Sequence, residues 1–187
     1  MATNNSVNSP LSGTTGTGNF VGSTSPTLVT PTLGAATATS LAFSPTTGGI
    51  IGTTAADNAT AGDVGEFKSS VIAIASAVSL STNTSADITS ISLTAGDWDV
   101  SGNIFFGPSV GVTNIAAWTS TTSATEPDPS LYNAMSATTA IITGSGIQTP
   151  SLRVNVSSTT TVYISVKAIF SSGTCTGCGG IFARRRR

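Results

Sequence analysis

Apolar and polar residues alternate most cleanly in TTVYISVKAIF. Val162, Ile164, Val166, Ala168 and Phe170 take one side, and Tyr163, Ser165, Lys167 and Ile169 take the other. A period of two is that of a half-buried strand. A second run starts after Gly96, a turn residue. Trp98, Val100, Gly102, Ile104 and Phe106 share one face, while Asp97, Asp99, Ser101, Asn103 and Phe105 share the other. Trp98 reads as the first core residue of that strand, with its indole N–H within reach of loop backbone. Shorter, more broken versions of the pattern recur along the chain. They predict strands over 66–74, 77–80, 88–93, 98–106, 116–121, 136–143, 151–156, 161–170 and 179–186. NTSADITSIS and GTCTGCGG read as turns between strands, and no stretch sustains a helical period. Eight or nine antiparallel strands in about 120 residues predict an all-β fold, an antiparallel jelly-roll sandwich over residues 65–187. Its expected core holds Trp98, Val100, Ile104, Val162, Ile164 and Val166.

Residues 1–64 lack this pattern. Thr, Ser and Gly dominate, with Pro10, Pro26, Pro31 and Pro45 among them, and SPTL at Ser25–Leu28 is echoed by TPTL at Thr30–Leu33. The apolar residues are isolated: Leu28, Val29, Leu33, Leu41, Phe43, Ile50 and Ile51. One chain cannot close a core with so few. Several parallel copies sharing an axis can, which makes this segment an extended shaft or docking arm; the other reading is a flexible linker.

Composition sharpens the picture. Only 8% of residues are charged, against roughly a quarter in ordinary soluble domains. The net charge is −1, which gives no bulk electrostatic attraction to nucleic acid or to an anionic membrane. No apolar run approaches the roughly 18 residues of a membrane span, and MATNNSVNSP has neither the basic nor the apolar region of a secretory signal. Large apolar residues are few per chain, so burial of further surface between copies is expected.

Candidate chemistry is sparse. The chain has no histidine, and Lys68 and Lys167 are its only lysines. Only these two could serve a serine nucleophile as an amine base, so nucleophilic catalysis is poorly supported. Asp97 and Asp99 share a strand face at roughly 7 Å, within the range of an inverting glycosidase pair, but a solvated or interface strand face is the favoured reading, since a glycosidase cleft wants aromatics and only 6% of residues are aromatic. Cys175 and Cys178 form a lone C-x-x-C followed by two glycines, which reads as a hairpin with free thiols; a strained disulfide or partial metal site is the alternative. No cofactor is expected. TSATEPDPSLYN forms a proline-stiffened acidic loop in which Asp128 and Tyr132, beside Trp118, make a candidate receptor-binding surface. In GGIFARRRR, Ile181, Ala183 and Arg185 share one face, and Phe182, Arg184 and Arg186 the other. A phosphate-binding tail is possible for such a run, but the alternation favours a last strand.

Three blocks, SLTAGDWDVSGNIFF, TPSLRVNVSSTTTVYISVKAIFSSGT and the terminal GGIFARRRR, together resemble the C-terminal domains of tailed-phage tail fibres and tail needles. The resemblance covers residues 62–187. It implies a trimeric jelly roll like tumour necrosis factor and the globular heads of complement. It also implies a virion protein, assembled in the host cytoplasm, whose N-terminal segment docks on other virion proteins and whose knob meets a host-surface glycan or protein. A structural collar, decoration or portal-plug protein and a glycan-cleaving fibre are the alternatives. The Cys175–Cys178 pair and the run of four arginines depart from the pattern. The last strand of such a fold lies near the three-fold axis, which places Ile181, Phe182, Arg184, Arg185 and Arg186 at the trimer interface. Clustered arginines repel unless answered, so at least one of Arg184–Arg186 is expected to pair with Asp97, Asp99, Glu66 or a terminal carboxylate, of its own or a neighbouring chain.

Overall fold

The longest strands form where the alternation is cleanest. The structure, a computed structural model, describes residues 55–187 apart from 108–110 and 142–143; residues 1–54, most of the expected shaft segment, lie outside the described residues. Ten strands run in chain order: β1 Phe67–Ile72, β2 Val78–Leu80, β3 Ala86–Leu93, β4 Gly96–Phe106, β5 Val112–Ser120, β6 Tyr132–Ile141, β7 Ser145–Gln148, β8 Leu152–Val156, β9 Thr160–Phe170 and β10 Cys175–Arg185. One-turn 3₁₀ segments at Ile74–Ser76 and Pro129–Leu131 are the only helical structure among the described residues.

All pairings are antiparallel. One sheet has the order β1-β10-β4-β7, with β2 also on β10 and β8 also on β4; the other has the order β3-β9-β5-β6. β1 and β2 occupy successive parts of one side of β10, and β8 and β7 do the same on β4. Counting each such pair as one interrupted strand leaves eight, ordered 1-8-3-6 and 2-7-4-5. That is the jelly roll, two Greek keys folded into a sandwich.

The inner faces meet in one core. Trp98, Val100, Ile104 and Phe106 of β4 and Cys175, Ile181 and Ala183 of β10 face Val162, Ile164, Val166 and Ala168 of β9, with Ile115 and Ala117 of β5 and Leu93 of β3. Between the sheets, Gly102 leaves room for Ile164: a Cβ there would stand 2.2 Å from Ile164 Cδ1 and 2.9 Å from the Gly180 carbonyl oxygen. A side chain at that inner position would displace Ile164 and crowd the β10 backbone.

Several local outcomes differ from the sequence reading. NTSADITSIS, expected as a turn, holds most of β3, and β6 starts four residues earlier than expected. The segment GTCTGCGG turns only as far as Thr174, and its six residues from Cys175 to Gly180 are strand. Its glycines serve close packing: Gly179 has φ +139°, and a Cβ there would stand 2.1 Å from the Asn103 carbonyl oxygen. β5 starts four residues earlier than expected, and β7 was not expected at all.

Residues 55–64, assigned by composition to the shaft, lie against the β1–β10 side of the sandwich. The Asn58 amide donates to the Phe67 carbonyl and accepts from the Phe67 N–H, at 2.9 and 3.0 Å, so a side chain stands in for one strand pairing on the β1 edge. Gly65 N–H donates to the Arg185 carbonyl at 3.0 Å.

Candidate functional site

The end of β10 crosses the start of β4, with Arg184 opposite Asp99 and Arg185 opposite Trp98. That register sorts the arginines. Arg185 faces inward and is buried, while Arg184, Arg186 and Arg187 are exposed. Each nitrogen of the buried guanidinium has an acceptor. Nε donates to Glu66 at 2.9 Å, one terminal nitrogen donates to the Ala95 carbonyl at 2.8 Å, the other donates to Thr94 Oγ1 at 2.6 Å, and the Trp98 ring lies beneath it. Glu66 is also buried and accepts from Gly62 N–H at 2.8 Å. Burial alone would push its carboxyl up. The Gly62 hydrogen bond and the Arg185 guanidinium outweigh that, and its pKa lies below the ordinary value.

Beside this pair, Asp97 is buried and accepts from Arg153 Nε and a terminal nitrogen, both at 2.8 Å, and from Arg187 Nε at 3.1 Å. The bidentate Arg153 contact, above all, holds the Asp97 carboxyl below its usual range against the opposing effect of burial. Arg186 pairs with Asp99 at 3.4 Å in a half-exposed contact. Asp97, Arg153, Arg186 and Arg187 line a shallow concavity of about 450 Å³. A carboxyl held ionised in this way is a poor proton donor, and a glycosidase acid needs the opposite shift.

The second cluster lies on the outer face of the four-stranded sheet. Register places Asp87, Ser165, Trp118 and Tyr132 in one row across β3, β9, β5 and β6. Trp118 and Tyr132 are tilted ring neighbours at 6.2 Å. The β5–β6 connection, residues 121–131, is strapped over this row. Asp87 accepts from Ala124 N–H at 2.8 Å, from Ser165 Oγ at 2.6 Å and from Ser123 Oγ at 2.5 Å, and Lys167 pairs with Glu126. Asp128 then caps the Pro129–Leu131 turn by accepting from Ser130 N–H at 2.9 Å and from its hydroxyl, contacts that hold the Asp128 carboxyl below its usual range. Trp118 is fully buried. It therefore cannot serve as an open stacking platform, which corrects its expected role; Asp128 is exposed and Tyr132 half-buried.

The structure places the remaining sequence candidates as follows. Trp98, Val100, Ile104, Val162, Ile164 and Val166 are fully buried in the sandwich. Ile181 and Arg185 are spent on the inner face of their own chain, so they cannot also present themselves to a second copy; Phe182, Arg184 and Arg186 lie on the outer face. The arginine–carboxylate pairs form within one chain. Arg153 was not among the expected partners of Asp97, and no local signal marks it, since only the β4–β8 register brings it there. Cys175 points into the core and Cys178 to the opposite face, so the two thiols cannot share a disulfide or a metal ion. No group of three or more His, Cys, Asp or Glu that could hold a metal occurs among the described residues, and no described helix is long and apolar enough to cross a membrane.

No protein-family model matches the chain, and none of the curated proteins matches it. Among solved structures, infectious bursal disease virus of the Gx strain is 12% identical over 66% of this chain and 33% of its own, with a TM-score of 0.42. T=1 particles derived from infectious bursal virus are 12% identical over 79% of this chain and 36% of theirs, with a TM-score of 0.44. The VP2 subviral particle of infectious bursal disease virus is 12% identical over 65% of this chain and 30% of its own, with a TM-score of 0.37. The chain thus spans about a third of the length of the chains it matches.

Proposed function

We propose that this chain is a structural protein of a virus particle, a homotrimeric short fibre or needle whose jelly roll forms a distal knob that contacts the host surface without covalent chemistry. The N-terminal segment docks on other particle proteins. The reading joins the fibre-like sequence blocks to a jelly roll that keeps large apolar side chains on its surface. The observation that carries it is the run Val64, Phe67, Val71 and Ile74 along the β1 side, 69, 40, 61 and 71% exposed. Apolar side chains gathered on one edge mark a surface meant to be covered.

A second reading, a collar, decoration or plug protein with no receptor, gains from the burial of Trp118, which removes the best sugar-stacking group from the surface. Labelling the jelly roll with an antibody and imaging intact particles separates the two. Label at a distal tip supports the knob, label at a collar or shell supports the second reading, and absence of the chain from particles overturns both.

A further inference from the structure

Six of the seven large apolar side chains that stand exposed among the described residues fall in two groups; the seventh, Ile169, stands alone on β9. Val64, Phe67, Val71 and Ile74 lie at β1 and the segments next to it. Leu131 and Met135 lie at the start of β6. β1 ends one sheet and β6 ends the other, on opposite sides of the sandwich, since β1 neighbours β3 whereas β6 neighbours β7. Each side offers a charged group with no ion pair among the described residues, Arg184 on one and Asp128 on the other, and Asp57 shares the Arg184 concavity. The Arg184 guanidinium sits over the Phe67 ring at 5.8 Å. The Asp128 carboxylate accepts from Ser130.

The shapes match this division. Val64, Phe67 and Arg184, with Asp57 and Asn58, line a concavity of about 630 Å³ on the β1 side. On the far side, Asp128 to Leu131 is an exposed turn stiffened by Pro129 and by its own cap, with Leu131 44% exposed.

We propose that the Asp128–Leu131 turn of one copy seats in the Val64–Phe67–Arg184 concavity of the next. Asp128 pairs with Arg184, and Leu131 packs on Phe67 and Val64. Each copy then carries a knob on one edge and a socket on the opposite one. A contact of that kind is head-to-tail, and it closes into a ring when the rotation allows. The inference rests on the trimeric reading above and names the surfaces that build it. It moves the copy-to-copy contact from the inward residues Ile181 and Arg185 to the β1 edge and the β5–β6 strap.

The test is charge exchange in the full chain, read by light scattering and native mass spectrometry at micromolar concentration, with circular dichroism confirming that each variant folds. The wild type is expected to be a trimer. Arg184→Glu and Asp128→Arg should each raise the concentration at which it dissociates by at least tenfold, and the double variant should recover most of that loss. Asp128→Asn keeps an acceptor for Ser130 and should weaken assembly in the same direction, which separates lost charge from a lost cap. A wild-type trimer that the single changes leave intact, or that the double change fails to rescue, overturns the knob-and-socket contact alone. A monomeric wild type, or a dimer, overturns the trimeric reading together with it.

Discussion

The Arg185 guanidinium lies over the Trp98 indole, 4.3 Å from the ring centroid, and so fastens the end of β10 to the start of β4. Its partner Glu66 comes from the residue just before β1, so one buried cation joins three segments. Removing one member of such a pair strands the other away from water. Glu66→Gln is expected to cost about 3 kcal/mol, the lower end of the range for a broken buried pair, because Thr94 and Ala95 still hold Arg185. Replacing both Glu66 and Arg185 by methionine should cost less than that single change. Urea unfolding of the three proteins checks the order.

The two tryptophans are equally buried but differently satisfied. Trp98 Nε1 donates to the Thr94 carbonyl at 3.0 Å, whereas Trp118 Nε1 has no partner among the described residues. Either one changed to alanine should cost roughly 3–5 kcal/mol. Changed to phenylalanine they should part. Trp98→Phe loses a hydrogen bond, and Trp118→Phe removes an unmet donor, so the second should be milder by about 1 kcal/mol. Equal losses in the two phenylalanine variants would contradict the bonding described.

Acid should weaken the fold through Glu66 and Asp97. Both carboxyls have folded-state pKa values below their ordinary ones, so the unfolded chain binds more protons as the pH falls. Their contribution is complete above the unfolded carboxylate value, about 4, and is lost as the pH drops through the lower folded values. The melting temperature should therefore owe no change to these groups between pH 7 and about 5 and should fall below about 4. Arg153→Gln removes the main cause of the Asp97 shift and should make the acid decline shallower. Calorimetric scans of both proteins across that range give the answer.

The strap hangs on Asp87. Asp87→Ala removes the acceptor for Ala124 N–H, Ser123 Oγ and Ser165 Oγ at once and leaves Lys167–Glu126 to hold residues 121–131. Hydrogen exchange in that segment should rise at least tenfold, and acrylamide should quench more of the tryptophan fluorescence as Trp118 is uncovered. Exchange in β4 and β10 should stay as it was. Unchanged protection of the strap would mean that Asp87 does not hold it.

The sequence made the fold legible where one face is buried and the other wet. β4 and β9 follow period two from end to end, and their limits were read to within two residues. The first four residues of β5 escape the pattern because the register shifts between Val112 and Asn114, which breaks the alternation there. β7 has four residues and one large apolar side chain, too little for any period. In β10 the glycines looked like a turn, whereas Gly179 is needed where the Asn103 carbonyl presses close. The site was legible as a set of opposite charges, since Glu66, Asp97 and Asp99 were the natural partners for the arginine run. Parity along the strand separates Arg185 from Arg184 and Arg186, but which face turns inward, and the place of Arg153, depend on long-range register that no local pattern encodes.

The opposite orientations of Cys175 and Cys178 leave this C-x-x-C without redox chemistry of its own. Three residues of strand set the two about 10 Å apart, beyond the roughly 7 Å a disulfide can bridge, and they point to different sides. Burial also pushes the Cys175 thiol up, away from the reactive thiolate. The jelly roll thus keeps one covalent connectivity in reducing and oxidising surroundings alike, and its hold on shape passes from one environment to the other without a chemical step.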